Sequence, residues 1–326
     1  MALFITFYSV LILQAVLILA MVHAQDDQSG FISIDCGIAE GSTYTDEKTG
    51  INYVSDTGFI DSGKNQEVLS AYKSNTLDFQ LRTLKSFPEN TRNCYTLKPK
   101  QGKGNRYLVR ARFMYGNYDF KSQTLEFDLY LGNDHWSRVR VGSSAIDYEI
   151  IHLTSSNYIY VCLVNIGLGN PFISALELRL LDNTMYADGL RSLNLFSRSN
   201  FGASEVVRYA DDKYDRIWNP AANLSGLTDV QTSSPVSLGS STKEKVPSKV
   251  MSTAIKTTNT SFDFVSSWKN LSNNNLGSVP KFLASLDSLK ILILAGNNFT
   301  RPLPAELLEK AKKGLSLSIE DSGPTT

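Results

Sequence analysis

Alternation with a period of two constrains this chain more than any other feature. Tyr107, Val109, Ala111, Phe113 and Tyr115 interleave with Leu108, Arg110, Arg112 and Met114. Leu125, Phe127, Leu129 and Leu131 interleave with Glu126, Asp128 and Tyr130. Successive side chains of a strand point to opposite faces, so each segment should bury one face and keep the other wet or half-wet. Tyr158–Ile166 and Ile173–Leu181 are more continuously apolar, as expected of central strands. Gly116-Asn117, Gly132-Asn133-Asp134, Gly142-Ser143-Ser144 and Gly167–Pro171 punctuate them with residues that favour turns. Residues 31–181 show no sustained helical period. The expected architecture is all-β, a sandwich or jelly roll of antiparallel strands.

Met1–Met21 is almost entirely apolar, and Val22-His23-Ala24 precedes the polar Gln25-Asp26-Asp27-Gln28. Small or apolar residues at that site predict a signal peptide over residues 1–24, cleaved after Ala24. The competing reading is an uncleaved anchor, because no Lys or Arg precedes the run and the run is long enough to span a bilayer. No membrane span is expected beyond this segment. In an oxidising compartment the three cysteines, Cys36, Cys94 and Cys162, make one disulfide and one spare thiol, with the pairing open. Sequons at Asn223, Asn259, Asn270 and Asn298 become candidate glycan sites, and none lies between residues 25 and 222. Lys plus Arg and Asp plus Glu both number 32, so no basic surplus points to a nucleic-acid partner.

Residues 182–220 carry dense mixed charge and end at Asn219-Pro220. Residues 221–261 are rich in Ser and Thr and read as a linker or as strands of an incomplete domain. Farther on, Leu286, Leu289, Leu292 and Leu294 are followed by Asn297 and Phe299, which is the leucine-rich-repeat pattern. About three repeats are needed for a stable solenoid, and roughly one and a half are expected here. Glu306–Lys313 is expected to be a short closing helix.

Phe31-Ile-Ser-Ile-Asp-Cys-Gly37, Tyr53-Val54-Ser55-Asp56 and Phe59-Ile60 resemble the opening of plant malectin-like domains. Phe87-Pro88-Glu89 through Asn93-Cys94-Tyr95-Thr96-Leu97, Phe127–Gly132, Pro171–Leu178 and the Arg208–Trp218 block extend the resemblance over about residues 30–255. Together with the leucine-rich segment, the chain is similar to the ectodomain of malectin-like, leucine-rich-repeat receptor kinases. The resemblance implies a malectin-like β-sandwich lobe over 31–182, a connector and partial second lobe over 183–262 and a leucine-rich-repeat fragment over 268–320. The kinase glycine-rich loop, Lys strand and catalytic-loop Asp motif are absent from the sequence, so no enzyme activity is expected. The expected role is extracellular recognition of a glycan, a peptide or a receptor-kinase co-receptor. The alternative is a truncated receptor form, either non-functional or a soluble decoy. Secretion to the apoplast is expected, or the plasma membrane if the chain is part of a longer receptor.

Sugar recognition needs aromatic faces beside polar groups. Tyr115, Asn117, Tyr118 and Asp119 form the best local cluster, with Tyr44, Tyr53 and Trp136 as candidate additions. The competing reading places Tyr115 and Trp136 in core or edge packing. Asp211, Asp212 and Asp215 could suggest calcium, but Lys213 and Arg216 are interleaved with them, which favours ion pairing. No His/Cys spacing suits a structural or catalytic zinc, so neither metal nor cofactor is expected.

Overall fold

The computed structural model describes residues 28–187, 189, 191–223, 227–234, 236, 244–257, 268–270, 291–293 and 303–318. It divides into two compact units. The first contains the chain up to Ser192, together with Arg208–Arg216 and the stretch ending at Val246. The second contains Leu193–Val207, the chain from Ile217 to Ser237 and the chain from Pro247 onward.

Thirteen strands build the first unit: β1 (Phe31–Asp35), β2 (Thr43–Thr45), β3 (Asn52–Ser55), β4 (Lys64–Glu67), β5 (Thr83–Ser86), β6 (Arg92–Leu97), β7 (Arg106–Phe113), β8 (Leu125–Leu131), β9 (Asp134–Val141), β10 (Ile146–Leu153), β11 (Ile159–Leu168), β12 (Phe172–Ile173) and β13 (Ala175–Leu180). In the larger sheet the neighbours run β10-β7-β13-β1-β3-β2; a second sheet runs β6-β11-β8-β9, and a small one β12-β5-β4. Val109, Ala111 and Phe113 of β7 share one core with Phe127 and Leu129 of β8 and with Val161 and Leu163 of β11. Rings join the layers, with Phe113 centred 5.6 Å from Phe127 and 6.0 Å from Phe172. The all-β sandwich is therefore the observed fold.

The interior positions of β11 and β13 follow their apolar runs. The expectation of a wet second face on β7 is corrected. Every residue of β7 is buried, Arg106, Arg110 and Arg112 included. The outward row is closed by ion pairs rather than opened to solvent, as described below.

Two glycines set close approaches. Gly37 has φ +94°, and a Cβ there would lie 2.2 Å from the Leu84 carbonyl oxygen. Only Gly lets the chain leaving β1 pass this close to β5. Gly116, with φ +48°, faces Val68 in the same way, at 2.0 Å from its Cγ1.

In the second unit Ser199–Phe201 pairs parallel with Asn219–Ala221, and Leu227–Gln231 pairs antiparallel with Thr253–Thr257. Farther along, Trp268–Asn270, Ile291–Ile293 and Ser316–Ser318 form a parallel three-stranded sheet. A helix, Ala305–Lys312, precedes the last strand and buries Leu307. The leucine-bearing 271–290 and 294–302 stretches lie outside the described residues.

Candidate functional site

The outer face of the larger sheet carries polar residues in one row. Glu149 of β10 lies opposite Arg110 of β7, Arg110 opposite Glu177 of β13, and Glu177 opposite Ser33 of β1. Arg110 donates from Nε and Nη2 to Glu149 Oε2 at 3.1 and 3.0 Å, and from Nη1 to the Glu177 carboxylate. The Arg208–Arg216 segment covers this row. Asp215 Oδ2 accepts from Arg179 Nε at 2.8 Å and from Arg208 Nη2 at 2.9 Å, and Oδ1 accepts from Arg208 Nε at 2.9 Å. Tyr53 Oη donates to Glu177 Oε1 at 2.6 Å. Three guanidinium groups thus meet three carboxylates, and all but Arg208 are almost wholly buried. Burial alone would push the Glu177 and Asp215 carboxyls up. Arg179, Arg110 and Arg208 instead hold both well below the usual carboxylate range. Next to this network Arg216 pairs with Asp212 at 2.8 Å and donates to the Glu244 and Lys245 carbonyls, each at 2.7 Å. Asp212 and Asp215 are therefore partners of arginines. No group of three or more metal-binding side chains occurs among the described residues.

Toward the β2 edge of the same sheet, Asp35 is fully buried without a cation bonded to it. Its carboxyl accepts from Tyr44 Oη at 2.8 Å and from Thr83 Oγ1 at 2.9 Å. Burial, eased by these two hydroxyls and aggravated by Asp56, raises it to about 7. Asp56 itself has the Lys85 ammonium at 3.0 Å and the Tyr95 hydroxyl at 3.1 Å.

The outer face of the second sheet is different. Tyr158 and Tyr160, on alternate residues running into β11, are 41% and 44% exposed, with rings 6.4 Å apart and 16° from parallel. The Lys98 ammonium lies 5.2 Å from the Tyr158 ring centre, and the Arg92 guanidinium 4.9 Å from that of Tyr130. Cys94 of β6 and Cys162 of β11 face each other in register and form a disulfide, and Tyr130 of β8 is opposite Cys162 on the other side. The bond ties two neighbouring strands on the same face as the tyrosines. Arg138 and Arg140 of β9 on this face pair with Asp128 at 2.8 Å and Glu126 at 3.2 Å. The result is an aromatic and cationic surface on a cross-linked sheet. Its parts suit CH–π stacking with a sugar, or contact with a protein surface.

A profile of malectin-like domains matches residues 34–290. The chain belongs to the malectin-like family. A probable leucine-rich-repeat receptor-like serine/threonine-protein kinase of Arabidopsis thaliana is 49% identical over 255 residues, covering 76% of this chain and 29% of that protein. This malectin-like chain thus matches less than a third of that relative's length. Among solved structures, the ANX1 ectodomain from Arabidopsis thaliana superposes with a TM-score of 0.57 at 16% identity, covering 68% of this chain and 65% of that one. The complex of the plant peptide RALF23 with FER and LLG2 contains another malectin-like neighbour, with a TM-score of 0.53 at 15% identity and coverage of 68% and 62%. These two likenesses describe the fold.

Within the malectin-like sandwich the residues singled out from sequence fall into separate places. Tyr44 and Tyr53 stack at 5.5 Å and 11°, with Tyr53 fully buried and Tyr44 partly so. Tyr115 and Tyr118 are buried in the core with centroids 5.6 Å apart, and the Tyr115 hydroxyl donates to Asp119. Asn117 and Asp119 are partly exposed. Trp136 points from β9 into the core. Hence Tyr53, Tyr115, Tyr118 and Trp136 offer little open ring to a ligand. Phe120, which the sequence reading passed over, projects from the same loop with 77% exposure and φ +59°. Cys36 is buried and free. Asn223 is exposed, and Asn270 closes the Trp268–Asn270 strand. Asn259, Asn298 and residues 1–24 lie outside the described residues.

Tyr158 and Tyr160 also escaped sequence reasoning. They sit in an apolar run that reads as buried on both sides. Their own phase, Tyr158 and Tyr160 against Ile159 and Val161, was the available signal.

Proposed function

We propose that this malectin-like chain is a non-enzymatic extracellular recognition module that binds a peptide, a co-receptor ectodomain or a cell-wall carbohydrate. The observation that carries this reading is the open Tyr158–Tyr160 face beside Lys98 and Arg92. Aromatic and Arg side chains on a preorganised surface are the usual anchors of recognition. The family membership and the neighbours' description as ectodomains support the extracellular and non-enzymatic parts. The FER, LLG2 and RALF23 complex supports a peptide and co-receptor class of ligand.

The domain plan that fits is a signal peptide over 1–24, a first malectin-like lobe over 31–182, a connector with a partial second lobe over 183–262 and a leucine-rich-repeat fragment over 268–320. Parallel strands beginning at Trp268, Ile291 and Ser316 support a repeat in the last part. No sequon lies within residues 25–222, so the proposed face carries no glycan attachment site of its own. The test uses the secreted chain from residue 25 on a glycan array, a synthetic peptide panel and a panel of receptor ectodomains. Saturable binding to one class supports the proposal. Failure to bind any of them, by a sample with a cooperative unfolding transition, overturns it.

A further inference from the structure

Asp35 links two sheets. Its two hydroxyl donors come from different sheets, Tyr44 from β2 at the edge of the larger sheet and Thr83 from β5 of the small one. The strand β2 is three residues long and pairs only with β3. The Tyr44 ring continues the tie outward. It stacks on Tyr53, and its centroid lies 4.6 Å from that of Phe79, which is 48% exposed.

The charged groups around Asp35 are committed elsewhere. Lys85 of β5 is held by Asp56 at 3.0 Å. Arg112, two strands away in register, is bonded to Asp147 and Asp78, each at 3.0 Å. Asp56, beyond the end of β3, adds a negative charge, and the buried Cys36 thiol and Tyr95 hydroxyl are pushed up into their neutral forms, chiefly by burial. Asp46, near Tyr44, adds only further negative potential to that hydroxyl. An ionised Asp35 would therefore rest on two hydroxyls alone in a dry site, whereas the neutral acid carries no buried charge and keeps both contacts by accepting from one hydroxyl and donating to the other.

We propose that Asp35 is a proton-operated latch: protonated, it holds β2 against β1 and β5, and ionised, it releases that strand. This goes beyond the recognition role and does not depend on which ligand is bound. The site titrates near neutrality, so the latch is closed in mildly acidic surroundings and open in mildly alkaline ones. The released strand carries Tyr44, whose ring packs against exposed Phe79, so proton concentration controls an aromatic patch at this edge.

Hydrogen–deuterium exchange of the secreted chain between pH 5 and 8.5, corrected for intrinsic exchange rates, tests this. Protection at Thr43–Thr45 should fall at least tenfold through a single-proton step, while β7 and β13 keep theirs. Asp35→Asn should abolish the step. If that variant does not fold, Tyr44→Phe gives the second reading. Loss of one hydrogen bond to the carboxylate should move the midpoint to higher pH. The carboxyl-carbon NMR titration of Asp35 reads the proton directly. No pH step in the wild type, an unchanged step in Asp35→Asn, or an Asp35 already ionised at pH 5 would each overturn the latch.

Discussion

The two sheets of the sandwich treat their outer faces in opposite ways. On the larger sheet the outward residues Arg110, Glu149, Glu177 and Arg179 are charged and buried, because Asp215 and Arg208 close over them. On the second sheet the outward residues Tyr158, Tyr160, Lys98 and Arg92 remain in solvent. The charged face is the closed one and the aromatic face is the open one, the reverse of simple polarity. Burial follows partner supply along the arginine row: Glu149, Glu177 and Asp215 each have a guanidinium, so they can leave water, whereas no covering segment is described on the tyrosine face. Surface chemistry used for folding and surface chemistry available for binding are thus separated onto two sheets.

The largest way to break this contrast is to remove one cation from the covered face. Arg179→Ala leaves Asp215 and Glu177 short of a partner and should cost about 3–5 kcal/mol of stability in urea unfolding. A loss below about 1 kcal/mol would mean that water has replaced the guanidinium and the face is not closed.

The next largest change acts under the open face. Cys94→Ser with Cys162→Ser removes a bond that spans a sequence separation of 68 and should cost about 2–4 kcal/mol. Urea unfolding of the double variant checks the loss, and a stability unchanged within about 0.5 kcal/mol would contradict it.

Proton titration sharpens the comparison within the covered face. Glu177 and Asp215 are depressed, so their contribution is present above the ordinary carboxylate pKa and is lost only in strong acid. Asp35 is raised from 3.8 to about 7, so its contribution is complete below 3.8 and is lost as pH rises toward 7. Between pH 5 and 7 this should remove about 2 kcal/mol from the wild type, an amount absent in Asp35→Asn. A thermal unfolding series over that range checks the sign. Stability rising with pH, with no difference between the two proteins, would contradict it.

Much of the sandwich was legible in the alternation of β7 and β8, because a core face needs only the period of two. The closed outer face was not, because Asp215 is separated from Arg110 by 105 residues and reaches it only through the fold. Asp212 with Arg216, four residues apart, was within reach of local reading. The disulfide needed the register that sets Cys94 opposite Cys162. For the candidate site, aromatic identity was visible and burial was not. Tyr115 and Trp136 pack into the core, while Tyr158 and Tyr160 look core-like in sequence and stand in solvent.

The smallest expected effect on stability carries the most functional weight. Tyr158→Ala with Tyr160→Ala should shift the unfolding free energy by about 1 kcal/mol, because each ring is more than half covered and stacks on the other. The direct test of the open-face claim is the equilibrium affinity of this double variant for whichever glycan, peptide or ectodomain the wild type binds. The account predicts an affinity loss of about tenfold or more in a variant that still unfolds cooperatively. Wild-type affinity in a folded double variant would contradict it and move recognition to another surface.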